Sequence, residues 1–318
     1  MAKKEITNIE DIPGVGDKIA EKLKEAGFTD LMAIATAPLI ELSEKAGLGD
    51  ATAQKIVSLV RENLNMNFMS GNEVLERRGT VKRISTGSTN LNLLLGGGVE
   101  TQAITEAFGQ FASGKTQIAH QLCVNVQKPE EEGGLNGCAV YIDTEGTFRP
   151  ERIIQMAKSA KIDPDTALSR IRFARAYSSD HQVLLSEKLS ELMESNKDLP
   201  IKLLIVDSIM GLFRAEYSGR GTLADRQQKL NHHIHFLQRL SDRYNIAIYV
   251  TNQVMSRPDQ FFGDPTTPIG GHVLAHAATY RLYFRKGKED KRIARLIDSP
   301  NLPEGECIFK VTAKGLTD

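Results

Sequence analysis

Residues 109–116 spell GQFASGKT, two glycines separated by four residues and followed at once by a lysine and a hydroxyl. That spacing suits a loop that cradles phosphate. The glycines let backbone amides close on the anion, and the helix that follows adds its N-terminal dipole. Gly109, Gln110, Phe111, Ala112, Ser113, Gly114, Lys115, Thr116 and the next residue, Gln117, form the candidate nucleotide-binding stretch. Lys115 is expected to neutralise the β/γ oxygens, and the Thr116 hydroxyl to ligate Mg²⁺.

Hydrolysis of a bound nucleotide needs further groups, and three apolar runs end in them. KLLIVDS ends in Asp207, expected to hold Mg²⁺ through water. AVYIDTEGTF ends in Asp143 and Glu145; Glu145 is the better-placed base for an attacking water, with Asp143 next. IYVTNQ presents Gln253, an amide able to hydrogen-bond a γ-phosphate. The chain has no LSGGQ-like signature, and NKDL at 196–199 misses the guanine motif by one position. Adenine is therefore the expected base, and ATP the expected nucleotide.

The elements that must position these residues divide the chain in two. From about residue 80 to 318, apolar runs (AITEAF, CAVYID, IRFARA, KLLIVD, AIYVTN) alternate with helical stretches. Such runs read as parallel strands buried on both faces, so residues 80–318 are expected to be an α/β domain with a mostly parallel, twisted sheet. Residues 1–64 read instead as short helices, forming a small all-α domain. Two glycine turns, IPGVGDKIAEKL and AGLGDATAQKI, each resemble a helix-hairpin-helix. Gly14 and Gly16 would there aim backbone amides at a DNA phosphate. Residues 1–65 carry eight basic and eleven acidic side chains, net −3, so such contact is expected to be weak and sequence-independent. Residues 65–79 read as a linker ending in a short amphipathic helix.

Composition narrows the class. The 40 Lys+Arg balance the 40 Asp+Glu, so no global positive field steers the chain to nucleic acid and local patches must do so. Three widely spaced cysteines without a CxxC predict buried thiols rather than disulfides or zinc. No run reaches the ~18 apolar residues of a membrane span, and the first residues have no apolar leader core. A soluble, cytoplasmic protein without membrane contact is expected.

The order GQFASGKTQ, YIDTEGTFRPERI, LLIVDS, FRAEYSGRGTLADRQQKL, TNQV…PDQFFGDPTTPIGGHVLAHAATYR and DSPNLPEGE resembles the archaeal RadA branch of the RecA-like DNA strand-exchange family. The likeness runs from about residue 6 to residue 318. It implies a RecA-like P-loop ATPase core and an N-terminal helix-hairpin-helix domain. The activity implied is a nucleoid-associated, DNA-dependent ATPase that forms filaments or rings on single-stranded DNA and pairs it with double-stranded DNA. In the family FRAEYSGRG and the stretch after Gln253 face single-stranded DNA. Arg214, Arg220 and Arg226 would then touch phosphates, with Gly270 and Gly271 supplying loop mobility. Gly-punctuated arginine loops suit an extended backbone.

Other roles come from the resemblance alone. Arg152 would stack on adenine, and His276 would sense the γ-phosphate of the neighbouring protomer. Asp298, Pro300 and Pro303 would cap the neighbour's nucleotide, and Asp298 with Glu304 would hold a monovalent cation such as K⁺. Phe68 falls on the family's Phe-x-x-Ala polymerisation motif, in which Gly71 takes the alanine's place. Gln110 and Ala112 stand where the family shows Glu and Gly, and Ile209 and Met210 replace hydroxyl-rich residues. RLYFRKGKEDKRIAR at 281–295 carries seven basic and two acidic side chains; it reads as a solvated β-hairpin or a secondary duplex-DNA contact. Two rival functions share the core: a non-catalytic recombination mediator, which typically lacks the N-terminal domain, and a hexameric helicase, against which the NFMSG linker argues.

Overall fold

The computed structural model describes residues 6–64, 68–195, 199–217, 219, 221–256 and 266–318. It divides into two compact units, Met1–Gly79 and Thr80–Asp318.

The first unit is helical: α1 (Asp17–Glu25), α2 (Leu31–Thr36), α3 (Leu39–Ala46), α4 (Asp50–Asn63) and α5 (Gly71–Arg78). Local chemistry sets the helix starts. The Asp30 carboxylate caps α2 by accepting from the Ala33 amide at 2.7 Å. A capping box between Ser70 and Glu73 opens α5. By contrast α1 and α4 begin directly after Gly16 and Gly49, with no side-chain cap on either. The preceding turns take Gly14 and Gly47 to φ +91° and +58°, the left-handed region where only glycine is unstrained. Ile12, Leu23, Ile34, Leu42, Val57 and Val60 are buried in the centre of the unit.

The second unit runs β1 (Arg83–Ile84), α6 (Thr89–Leu94), β2 (Val99–Glu100), β3 (Ala103–Gly109), α7 (Lys115–Asn125), β4 (Cys138–Asp143), α8 (Pro150–Ser159), α9 (Pro164–Ser169) and β5 (Ile171–Arg175). It continues through α10 (Ser179–Ser195), β6 (Ile201–Asp207), α11 (Gly211–Glu216), α12 (Leu223–Tyr244), β7 (Ala247–Asn252), β8 (Val254–Ser256), β9 (Thr266–Pro268) and α13 (Gly271–Ala277). The last elements are β10 (Tyr280–Lys286), β11 (Lys291–Asp298), β12 (Gly305–Thr312) and β13 (Gly315–Thr317).

Among the described residues, nine strands form one sheet in the order β13-β12-β11-β10-β3-β7-β6-β4-β5. The pairs from β10 across to β5 are parallel, and those from β10 out to β13 are antiparallel. Strand parity divides the core. Ala103, Ala107, Leu203 and Ile205 pack on the face covered by α7 and α8, whose Ile118, Leu122 and Ile153 share that cluster. Ile104, Leu204 and Val206 face the opposite way, against Leu189 of α10 and Leu230 and Leu237 of α12. The five apolar runs of the sequence are thus β3 to β7, and the α/β expectation stands.

Residues 281–295 form the β-hairpin expected, but it is built into the sheet rather than wholly solvated. They belong to β10 and β11, and β10 docks parallel to β3, pairing Phe284 with Gly109. The cysteines are free thiols; Cys123 and Cys138 are buried, while Cys307 is only half-buried. No described helix is long and apolar enough to cross a membrane.

Candidate functional site

β3 enters the glycine loop at Gly109, held where a Cβ would lie 2.0 Å from the Phe284 carbonyl oxygen of β10. No larger residue fits there. Ala112 takes φ +58°, a left-handed conformation that strains a non-glycine residue by about 1–2 kcal/mol. The loop thus keeps its shape without a glycine at that position. Gly114, at φ +107°, then opens α7 with no side-chain cap. The first-turn amides of α7 therefore face an anion-ready end of the helix.

The Lys115 ammonium donates to the carbonyls of Gly109 and Gln110 at 2.8 and 2.9 Å. Burial lowers its pKa, and the charges of Asp207 and Glu145 offset only part of that shift. Thr116 follows on the same turn. Its carbonyl receives Nδ1–H of buried His120 at 2.8 Å, because the Arg149 amide donates to Nε2 and so fixes that tautomer. Burial lowers the His120 pKa, consistent with a neutral ring.

Three adjacent parallel strands deliver the acids and the amide. Register sets Asp143 of β4 beside Asp207 of β6. Asp207 is buried; its Oδ2 accepts from Tyr141 at 2.7 Å and Thr147 at 3.3 Å, and its Oδ1 from Thr251. Burial, more than the nearby Asp207 charge, raises the Tyr141 pKa and keeps the phenol a donor. Glu145 is exposed, and its Oε1 accepts from Ser208 Oγ at 2.6 Å and from Gln253 Nε2 at 2.7 Å. Gln253 therefore meets the carboxylate of Glu145.

Asp143 has a different task. Its carboxylate takes the amides of Glu145, Gly146 and Phe148 and the Arg175 guanidinium, and it is 1 % exposed. It shapes the loop that carries Glu145 and has no free face for a proton. Thr144, Ser208 and Thr251 were not singled out from the sequence. Thr144 Oγ1 accepts the Ser208 amide and donates to the Ser208 carbonyl, at 2.8 and 2.9 Å, locking β4 to β6. Their signal is a polar residue directly beside each strand-end acid or amide, visible only once the strands are known to be neighbours.

These residues line one cavity of about 740 Å³: the whole stretch 109–117 with Glu145, Asp207, Ser208, Thr251 and Gln253 at one end. Arg152, Val311, Thr312 and Ala313 also line it. Arg152 donates to Gln117 at 2.7 Å and to the carbonyls of Thr312 and Ala313 at 2.6 and 2.9 Å, which fixes its plane. Hard oxygen donors from Thr116 and Asp207, an uncapped helix start and an inward lysine fit a Mg²⁺–nucleoside triphosphate.

The remaining sequence-nominated residues lie elsewhere. His276 is exposed on α13, and Asp298, Pro300 and Pro303 are exposed at and after the end of β11. The Glu304 carboxylate already receives Arg295 at 3.0 Å. Arg214 is exposed on α11 and lines a 280 Å³ pocket with Glu145, Met210 and Gln253. Arg226 is half-buried at the start of α12, with Nε sealed and unpartnered. Arg220 lies outside the described residues. Gly270, at φ +106°, opens α13 against the Met210 side chain, and Gly271 follows at +62°.

Phe68 is fully exposed. In the second unit an apolar groove of about 490 Å³ lies along the sheet's open edge, lined by Val140, Ile142, Phe173 and Ala174 and by Leu185 and Leu189 of α10. Residues 77–318 match the family model described as Rad51, and residues 6–62 match that of the SAM-like helix-hairpin-helix tandem.

Proposed function

The chain belongs to the Rad51 family of RecA-like recombinases, and from that premise we propose that it is an ATP-dependent DNA strand-exchange protein of the archaeal RadA type. Family members are DNA-dependent ATPases that bind ATP and Mg²⁺. The observation that carries the reading is the single cavity in which Lys115, Thr116, Glu145, Asp207 and Gln253 converge.

Lys115 and the α7 amides hold the β- and γ-phosphates, and Arg152 holds the adenine. Thr116 and Asp207 would hold Mg²⁺, the Asp207 carboxylate being set in place by the hydroxyls of Tyr141, Thr147 and Thr251. Bound there, the metal would supply charge neutralisation on the phosphates. Glu145, oriented by Ser208 and Gln253, takes the proton of the attacking water. Gln253 also reports the γ-phosphate to the segment that follows it, and Met210 and Arg214 border the same carboxylate from the α11 side. Arg214, Arg220 and Arg226 bind single-stranded DNA, and the turns at Gly14 and Gly16 make weaker duplex contact. Asp298, Pro300, Pro303 and His276 act on a neighbouring protomer's nucleotide. Asp298 and Glu304 would hold K⁺, for which Glu304 would have to exchange its Arg295 partner. The protein acts in the cytoplasm on nucleoid DNA.

Assembly follows from Phe68. The exposed ring and the apolar groove beside β5 are complementary in chemistry, and a second copy's Phe68 fills the groove. Truncating a buried Phe costs ~3–5 kcal/mol, which weakens protomer affinity by ~10²–10³ or more. Phe68→Ala should shorten filaments in sedimentation while the melting temperature of the dilute protein holds. Long filaments from the variant, or a variant that unfolds, would refute the assignment.

The function itself is tested by ATP-dependent D-loop formation with homologous and heterologous single strands. Homology-dependent joint molecules support strand exchange. ATP binding without joint molecules points to a mediator, and directional unwinding of a fork to a helicase.

A further inference from the structure

The four arginines of β10 and β11 do not share one environment. Arg281 donates to Glu106 at 2.8 Å, Arg285 to Glu306 at 3.0 Å and Arg295 to Glu304 at 3.0 Å. Arg292 is the exception. Its side-chain hydrogen bond runs from Nη1 to the Lys291 carbonyl at 2.9 Å, and Nε is sealed from solvent without a partner. No carboxylate among the described residues pairs with it.

Register explains where it lies. β10 runs parallel to β3, and β11 antiparallel to β10, so the start of β11 sits at the end of the sheet where Gly109 enters the loop. Arg292 is opposite Phe309, and Ala294 and Leu296, on its face of the strand, join the core that packs on α7. The side chain therefore continues that face toward the helix start. A Cβ on Gly114 would lie 3.6 Å from Arg292 Cγ and 3.5 Å from the Phe309 ring. Arg292 lines the same cavity as Lys115 and Arg152. It flanks the opening turn of α7, and two residues beyond Phe309 the chain reaches Val311 at the Arg152 end.

We propose that Arg292 is a second cation of the cleft, engaging the α/β part of the bound nucleotide's phosphate chain while Lys115 serves the β/γ part. The inference rests on the nucleotide reading of the cavity. A guanidinium that lines the cavity with no carboxylate partner offers its outer N–H groups to phosphate oxygens. Its planar fork makes lysine a poor substitute. The stem packed over Phe309 and Gly114 keeps the charge from swinging into solvent.

The test is equilibrium binding of MgADP and of adenosine to the full chain, wild type beside Arg292→Met and Arg292→Lys. Arg292→Met keeps an apolar stem on Phe309 and removes the charge. Loss of a charge-assisted contact should weaken MgADP ~10–100-fold, leave adenosine unchanged and flatten the salt dependence of MgADP binding. Arg292→Lys should fall between. Unchanged MgADP affinity in Arg292→Met overturns the proposal, as does an equal loss of adenosine, which marks a packing defect. Arg292→Gln, polar and of similar length, replaces Arg292→Met if that variant melts early. Wild-type protein that binds no MgADP removes the nucleotide reading itself, a separate failure.

Discussion

Glu145→Gln is the substitution that separates binding from chemistry in this cleft. The carboxylate oxygen Oε1 accepts two hydrogen bonds, from Ser208 at 2.6 Å and from Gln253 at 2.7 Å. A glutamine amide oxygen accepts the same two donors, so the side chain keeps its place and the strand ends stay tied. Only basicity is lost. Removing a positioned general base lowers turnover by ~10²–10⁴, equivalent to ~3–5.5 kcal/mol of barrier. Asp143 cannot take over, because its carboxylate already holds three amides and Arg175. Single-turnover hydrolysis with single-stranded DNA, read beside equilibrium ATP binding, measures both quantities. ATP affinity should stay at the wild-type value, and the ATP-bound DNA complex should outlive that of the wild type. Turnover within about tenfold of wild type would refute Glu145 as the base.

Two further expectations concern stability. Glu106 is fully buried and pairs with Arg281 at 2.8 Å, so Arg281→Ala strands a charge beneath the sheet. The loss should be ~3–5 kcal/mol, or roughly 6–20 °C in melting temperature for a domain of this size; Arg281→Met with Glu106→Gln should recover most of it, and a drop under about 1 kcal/mol would contradict the pairing argument. His233, buried between α10, α11 and α12 against Gln182 and Phe213, has its pKa lowered from 6.5 to about 4, chiefly by burial with a smaller contribution from His232. The unfolded chain therefore binds the proton first: this contribution is complete above about pH 6.5 and is lost as pH falls toward about 4. Linkage gives about 2 kcal/mol of lost stability between about pH 8 and about pH 5. Urea midpoints should show it in the wild type and lose it in His233→Phe; equal slopes in both would put the proton elsewhere.

The parts legible in the sequence were those written in contiguous residues. Gly109 to Thr116 fixes its own loop, and β3, β4, β6 and β7 are buried on both faces, so they read as largely apolar runs, whereas edge strand β5 leaves Arg172 and Phe173 exposed. The two glycine turns marked the starts of α1 and α4 because a helix without a side-chain cap still needs a flexible residue before it. Long-range pairing left no such mark. Ser208 and Thr251 look like ordinary residues at strand ends until register places β6 between β4 and β7. The charge count over 281–295 treated seven cations alike. Cross-strand and core glutamates neutralise three of its arginines and leave Arg292 facing the cleft.

The position of β3 also sets a timetable for biosynthesis. The strand is flanked by β7 and β10, and its bonds reach 146 residues on to Asn252 and 175 residues on to Arg281. A ribosome adds ~5–20 residues per second, so β3 waits roughly 9–35 s after its own synthesis for its last neighbour. The first unit has no such delay: the Ile6 to Asn63 contact spans 57 residues, and all of its helices leave the ribosome early. A nascent chain therefore has a finished first unit while the central strand of the sheet is still half-bare. The apolar side chains of Ala103, Ile104, Ala107 and Phe108 are what a chaperone would meet during that interval.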